Sequence, residues 1–115
     1  MYQYKAIITR CIDGDTLEAR IDLGFNIMVN ETFRIYGIDT PESFGAKKCE
    51  AGFVAKEVVK NMVEGKEFVV DIMKKDKYGR WLMTINMEVD NNKTTLAAWL
   101  IKNGHAKPYF GGKKE

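Results

Sequence analysis

Tyr2–Asp22, YQYKAIITRCIDGDTLEARID, is the stretch whose reading decides the fold. From Tyr2 to Ile12 apolar and polar residues roughly alternate, the pattern of a strand with one buried face, and the alternation resumes from Thr16 to Asp22. Between them Asp13-Gly14-Asp15 has the composition of a tight turn, so the segment predicts a β-hairpin. A second turning stretch around Gly24 leads into Ile27–Ile35, rich in β-branched and aromatic residues, which predicts a third antiparallel strand. Gly37 and Pro41 end this meander.

Beyond it the period changes. Between Cys49 and Gly65 the residues Ala51, Val54, Ala55, Val58, Val59, Met62 and Val63 fall at helical spacing, with Lys56, Glu57 and Lys60 on the other side. Gly65 stands where a helix C-terminus is expected. Lys66–Met73 and Trp81–Val89 read as two further strands joined by the turn Lys75–Arg80. Thr94 or Thr95 then caps a short helix through Leu96, Trp99, Leu100 and Ile101, closed by Gly104. The strands are not regularly separated by helices, which argues against a parallel α/β fold. The order predicts an α+β fold, a five-stranded OB-fold β-barrel with two or three flanking α-helices.

The 115 residues, 45% hydrophobic and 30% charged, suffice for one packed core and not for two. The first residues lack the basic start, apolar run and small-residue cleavage site of a signal peptide, and no later stretch approaches membrane-spanning length. A soluble, intracellular protein is the expectation, export by another route remaining open. Cys11 and Cys49 lack the spacing of a zinc site and read as ordinary buried or half-buried thiols. A formal charge of +2 does not identify a partner, because nucleic-acid binders are marked by a clustered basic face. Clusters exist at Lys74, Lys75, Lys77 and Arg80, at Lys47 and Lys48, and at Lys113 and Lys114, but each alone is more often a solvated face than a phosphate track.

Several residues have chemical potential alongside a plainer reading. Asp13 and Asp15 are either a pair of carboxylates at a site or simply the polar residues of a hairpin loop bonded to nearby amides. Asp39-Thr40-Pro41-Glu42 is either a polar loop or two acids whose separation Pro41 partly fixes, an arrangement suited to a hard cation. Arg34 lies in the strand Thr32-Phe33-Arg34-Ile35-Tyr36. Pointing outward it needs no explanation; pointing inward it needs an anionic partner. Arg80 follows Tyr78-Gly79 at a strand start. Permanently charged, planar forks combined with acids are what phosphodiester chemistry requires, since the forks can hold two phosphorus oxygens at once.

Taken together, Ile12–Thr16, Arg34–Glu42 and Asp76–Arg80 resemble, in order, the three signature segments of the staphylococcal nuclease family. The resemblance runs from about Ile7 to Tyr109 and implies an OB-fold nuclease that depends on calcium and hydrolyses DNA, with RNA as an open second substrate. Residues 1–110 would then be one nuclease domain, working as a monomer, and 111–115 a flexible C-terminal tail. Carried over by motif, Asp15 and Asp39 resemble the carboxylate ligands of Ca²⁺, and Thr40 a ligand through its backbone carbonyl. Glu42 resembles the general base or water-orienting group, and Arg34 and Arg80 the clamp on the transition state. Lys77 and Tyr78 are placed by the same resemblance to meet a neighbouring phosphate, and Tyr109 to stack on a base.

The chain also departs from the family's pattern. The loop Ser43–Lys48 is short, Ala97 stands where an Asn is frequent, and no counterpart of the further C-terminal helix of the best-known members is expected in these residues. His105, the only histidine, is expected to be structural or exposed. The competing reading is a catalytically inactive OB-fold module that binds nucleic acid.

Overall fold

A computed structural model describes residues 2–41 and 49–110. The inward rows of the first two strands, β1 (Tyr2–Asp13) and β2 (Thr16–Asp22), make an antiparallel hairpin as their alternation dictates. The third strand, β3 (Met28–Ile35), pairs with β2 along its length. After the helix α1 (Glu50–Val63) come β5 (Glu67–Lys75) and β6 (Trp81–Val89), β4 being the two-residue strand Ile38–Asp39. β5 returns to the other edge of β1, and β6 pairs antiparallel with β5 and parallel with β3. That last pairing, Phe33–Trp81 through Ile35–Met83, closes a five-stranded barrel in the order β3-β2-β1-β5-β6. With α1 and α2 (Leu96–Lys102) flanking it, this is an OB-fold of the α+β class.

β1 pairs with β5 over Tyr2–Ile7 and with β2 over Lys5–Asp13. Its pairing with β2 shifts between Ile8 and Arg10, and both Thr9 and Arg10 are exposed while Ile8 and Cys11 are buried. The extra residue is a β-bulge, the device by which a strand turns a barrel corner. Strict alternation from Ile8 would have put Arg10 inside; the bulge keeps it in solvent.

α1 docks on β1 through Gly52, Ala55, Val59 and Val63, which recur at helical spacing. Val54, expected on that face, is 47% exposed, because the contact is narrower than the apolar pattern implies. Gly65 follows the helix end, with a φ of 80° that suits glycine and an N–H that donates to the Ile8 carbonyl at 2.6 Å. Glu64 reaches the same strand, accepting from the Cys11 amide at 3.0 Å. Cys11 is buried, and burial followed by the Glu64 charge pushes its thiol up to about 11, so it stays protonated and inert. Cys49 departs from expectation: it sits at the α1 N-cap and is exposed.

α2 starts at Thr95, whose hydroxyl accepts from the Ala98 amide at 3.2 Å. The strand before it, β7 (Asn92–Thr95), was not expected from the sequence; it pairs with β6 across a turn at Asp90 and Asn91, both with positive φ. His105 stacks on Trp99 with ring centroids 6.1 Å apart, in keeping with a structural role. Ile38–Asp39 (β4) pairs with β8 (Lys107–Pro108), which ties the segment after β3 to the C-terminal stretch. Among the described residues, no helix is long and apolar enough to cross a membrane. The tail expected at 111–115 and the loop 43–48 lie outside the described residues.

Candidate functional site

The DGDT turn divides labour between its two aspartates. Asp13 is buried and accepts from the Gly14 amide at 2.9 Å. Asp15 points away from the turn. Its Oδ2 accepts from the Thr40 amide at 3.0 Å, its Oδ1 from the Thr16 hydroxyl at 3.1 Å, and its own carbonyl accepts from the Ile35 amide at 2.8 Å. These bonds lock the β1–β2 turn against the segment that follows β3.

The approach is close at Gly14. A Cβ there would stand 2.8 Å from Thr40 Oγ1 and 3.0 Å from both Thr40 Cβ and Cγ2, so glycine is needed for lack of space. Thr40 is only 4% exposed, and among the described residues its buried hydroxyl has no hydrogen-bond partner.

Arg34 turns inward to the acids. Its Nη2 lies 3.2 Å from Asp39 Oδ1 and 3.6 Å from Asp15 Oδ2, and its Nη1 donates to the Ile38 carbonyl at 2.9 Å. The side chain is 13% exposed, so the ion pairs are largely shielded from water. Tyr109 covers the guanidinium, with its ring centroid 5.2 Å from Cζ, and its amide donates to the Gly37 carbonyl at 2.9 Å.

Across the cleft, Asp76 organises the β5–β6 turn. Its Oδ1 accepts from the amides of Tyr78 at 2.8 Å and Arg80 at 3.0 Å, while Oδ2 holds Arg80 Nε and Nη2, each at 2.9 Å. The fork of Arg80 is therefore aimed before any ligand arrives. Lys77 Nζ and Arg80 Cζ lie 5.2 and 5.4 Å from the exposed Tyr78 ring. Desolvation favours the neutral Asp76 acid, but the Arg80 and Tyr78 amides and the Arg80 charge together outweigh it, and the carboxyl titrates below its ordinary 3.8. A depressed carboxyl gives stability that is fully present above the unfolded value and lost as pH falls through 3.8 toward the folded value. Wild type should therefore exceed Asp76→Asn in urea-unfolding stability near neutral pH, the gap closing on acidification; a gap independent of pH would contradict this.

Asp15, Arg34, Asp39, Lys77, Tyr78, Arg80 and Tyr109 all line one open cleft of about 740 Å³. Thr40 is fixed behind its wall by the Asp15 bond. Glu42 lies outside the described residues. Sequence reasoning did not find the roles of Asp76 and Gly14, though both stood inside the motifs; an acid four residues before an arginine across a Gly turn was the available signal for Asp76.

The donor set suits a hard cation. Two carboxylates converge within reach of one Arg34 nitrogen at the cleft wall, beside the tightly held Thr40 backbone, and such oxygens with added waters are what Ca²⁺ takes. Among the described residues no third acid, histidine or cysteine joins them.

The structure is an OB-fold barrel that carries paired acids and two arginines in one cleft. The chain belongs to the family described as staphylococcal nuclease homologue, whose model matches residues 32–115. It is similar to an uncharacterized endonuclease of Escherichia coli O157:H7, 33% identical over 106 residues covering 88% of this chain and 63% of that protein. It is also similar to an uncharacterized protein of Methanocaldococcus jannaschii, 25% identical over 131 residues covering 93% of this chain and 60% of that protein. The chain thus spans about three fifths of the length of these curated relatives.

Proposed function

We propose that the chain is a calcium-dependent nuclease that hydrolyses phosphodiester bonds in DNA, with RNA as a second substrate. The observation that carries this reading is the meeting of Arg34 and Arg80 with the Asp15–Asp39 pair in one cleft. Asp15, Asp39 and the Thr40 carbonyl would hold the cation. Calcium, when bound, supplies charge that polarises a phosphate oxygen.

The chain's own residues do the rest. Arg34 and Arg80 each present a fork to the phosphate and neutralise charge that builds on its oxygens in the transition state. Glu42 orients water for in-line attack on phosphorus, or takes its proton. Lys77 and Tyr78, at the exposed turn, meet a neighbouring phosphate of the strand. Tyr109, whose ring already lies on Arg34, offers its other face to a base. The chain would work as a monomer.

The test is cleavage of labelled single-stranded DNA, and of RNA beside it, with calcium titrated against a chelator and Asp39→Ala run in parallel. Cutting that requires calcium and disappears in Asp39→Ala is the expected result. Binding without cutting under every condition would make the chain a non-catalytic nucleic-acid-binding module.

A further inference from the structure

At one end of the barrel the inward rows of the strands run past the core. On β1, Ala6 and Ile8 are buried, but Tyr4 on the same face is half-buried and Tyr2 is 72% exposed. On β6 the row Ile85, Met83, Trp81 emerges likewise, and on β5 the row Val70, Ile72 ends in exposed Lys74. The result is an open apolar mouth of about 520 Å³, and among the described residues none from α1 or α2 lines it.

The mouth adjoins the cleft across one seam. In the β3–β6 pairing Phe33 stands opposite Trp81, both facing the mouth, while Arg34 stands opposite Leu82, both facing the cleft. Lys74 lines both spaces, and Lys75 Nζ lies 5.0 Å from the Trp81 ring centroid. The Tyr2 and Tyr4 rings stand 6.5 Å apart on the facing strand. Glu31 is the one acid among the residues lining the mouth.

We infer that this mouth is a second nucleobase subsite, filled by a base of the same strand whose scissile phosphate lies in the cleft. The inference rests on the nuclease reading and adds to it a place where substrate length is sensed. A base is a flat, largely apolar body joined to an anion, and the mouth offers aromatic and aliphatic walls with Lys74 and Lys75 on the side toward the cleft. A peptide or a second protein copy would fill the walls but would not explain Lys74, which lines both the mouth and the cleft.

The experiment uses single-stranded oligodeoxynucleotides in which one base at a time is replaced by an abasic sugar, with binding read by fluorescence anisotropy in chelator so that nothing is cut. In wild type, removal of the base at one position, separate from the one that meets Tyr109, should weaken binding about tenfold. In Tyr2→Ala that position should lose its effect, and Tyr2→Phe, which keeps the ring, should restore it. Tyr2 is mostly exposed, and thermal unfolding of each variant checks that the barrel is intact. Sensitivity that persists unchanged in Tyr2→Ala, or uniform insensitivity in a wild type that still binds and cuts, overturns the subsite alone. Wild type that neither binds nor cuts any strand overturns the nuclease reading with it.

Discussion

Arg80→Ala should fold and lose two to three orders of magnitude in kcat/KM, on the order of what removal of one aimed transition-state donor costs, about 10²–10³-fold. The turn does not depend on the side chain alone, because Asp76 also accepts from the Tyr78 and Arg80 amides, and those bonds survive the substitution. The stability loss should be on the order of 1–2 kcal/mol, the scale of a partly exposed charged hydrogen bond. Arg80→Lys is the informative companion, since it keeps the charge and removes the fork that Asp76 aims through Nε and Nη2. It should recover only a small part of the activity. Turnover near wild type in Arg80→Ala, with the fold intact by thermal unfolding, would remove this residue from the mechanism.

Gly14→Ala should be nearly as damaging without touching any charged group. The added methyl meets the Thr40 side chain at three atoms, the nearest at 2.8 Å, and neither residue has room to retreat because both are buried. Overpacking of this kind costs about 1–3 kcal/mol. The greater effect falls on the site, since Thr40 is the residue whose amide fixes Asp15 Oδ2. A displacement of about 1 Å among positioning groups can cost roughly 100-fold in rate. In the Thr40→Ala background two of the three contacts vanish, so the double variant should be more stable than the sum of the two single losses predicts. Strict additivity by urea unfolding would place the damage elsewhere.

Much of the barrel was legible because its signals are local. Alternation in Tyr2–Asp22 and Trp81–Val89, and the helical period before Gly65, each report one buried face, and the structure places strands and a helix there. What escaped depends on partners far away in sequence. The β4–β8 ribbon needs the C-terminal stretch to pass Ile38, and neither two-residue strand has a periodicity to detect. The bulge at Thr9–Arg10 appears only in the pairing of β1 with β2. Val54 reads as core by spacing, yet the docked face of α1 is too narrow to reach it.

The site divides along the same line. Motif order points to the acids and both arginines, whereas the direction of Arg34, open in the sequence, is settled by the two carboxylates and the carbonyl that it meets. Both hairpin aspartates line the cleft, and that Asp15 is the one tied to Thr40 and Arg34 was not readable from residue type. Asp76 was equally hidden: its contribution is to aim Arg80, and aim is a matter of geometry.

The three-pair seam between β3 and β6 has a consequence for the order of events during folding. It joins segments far apart along the chain, so the entropy of closing that long loop must be overcome before the seam repays it, and it is expected among the later contacts to form. Arg34 rides on one lip of the seam, and Arg80 immediately precedes the other. Catalytic competence during refolding should accordingly trail the return of helical circular dichroism, because a barrel not yet zipped has its arginines on separate flaps.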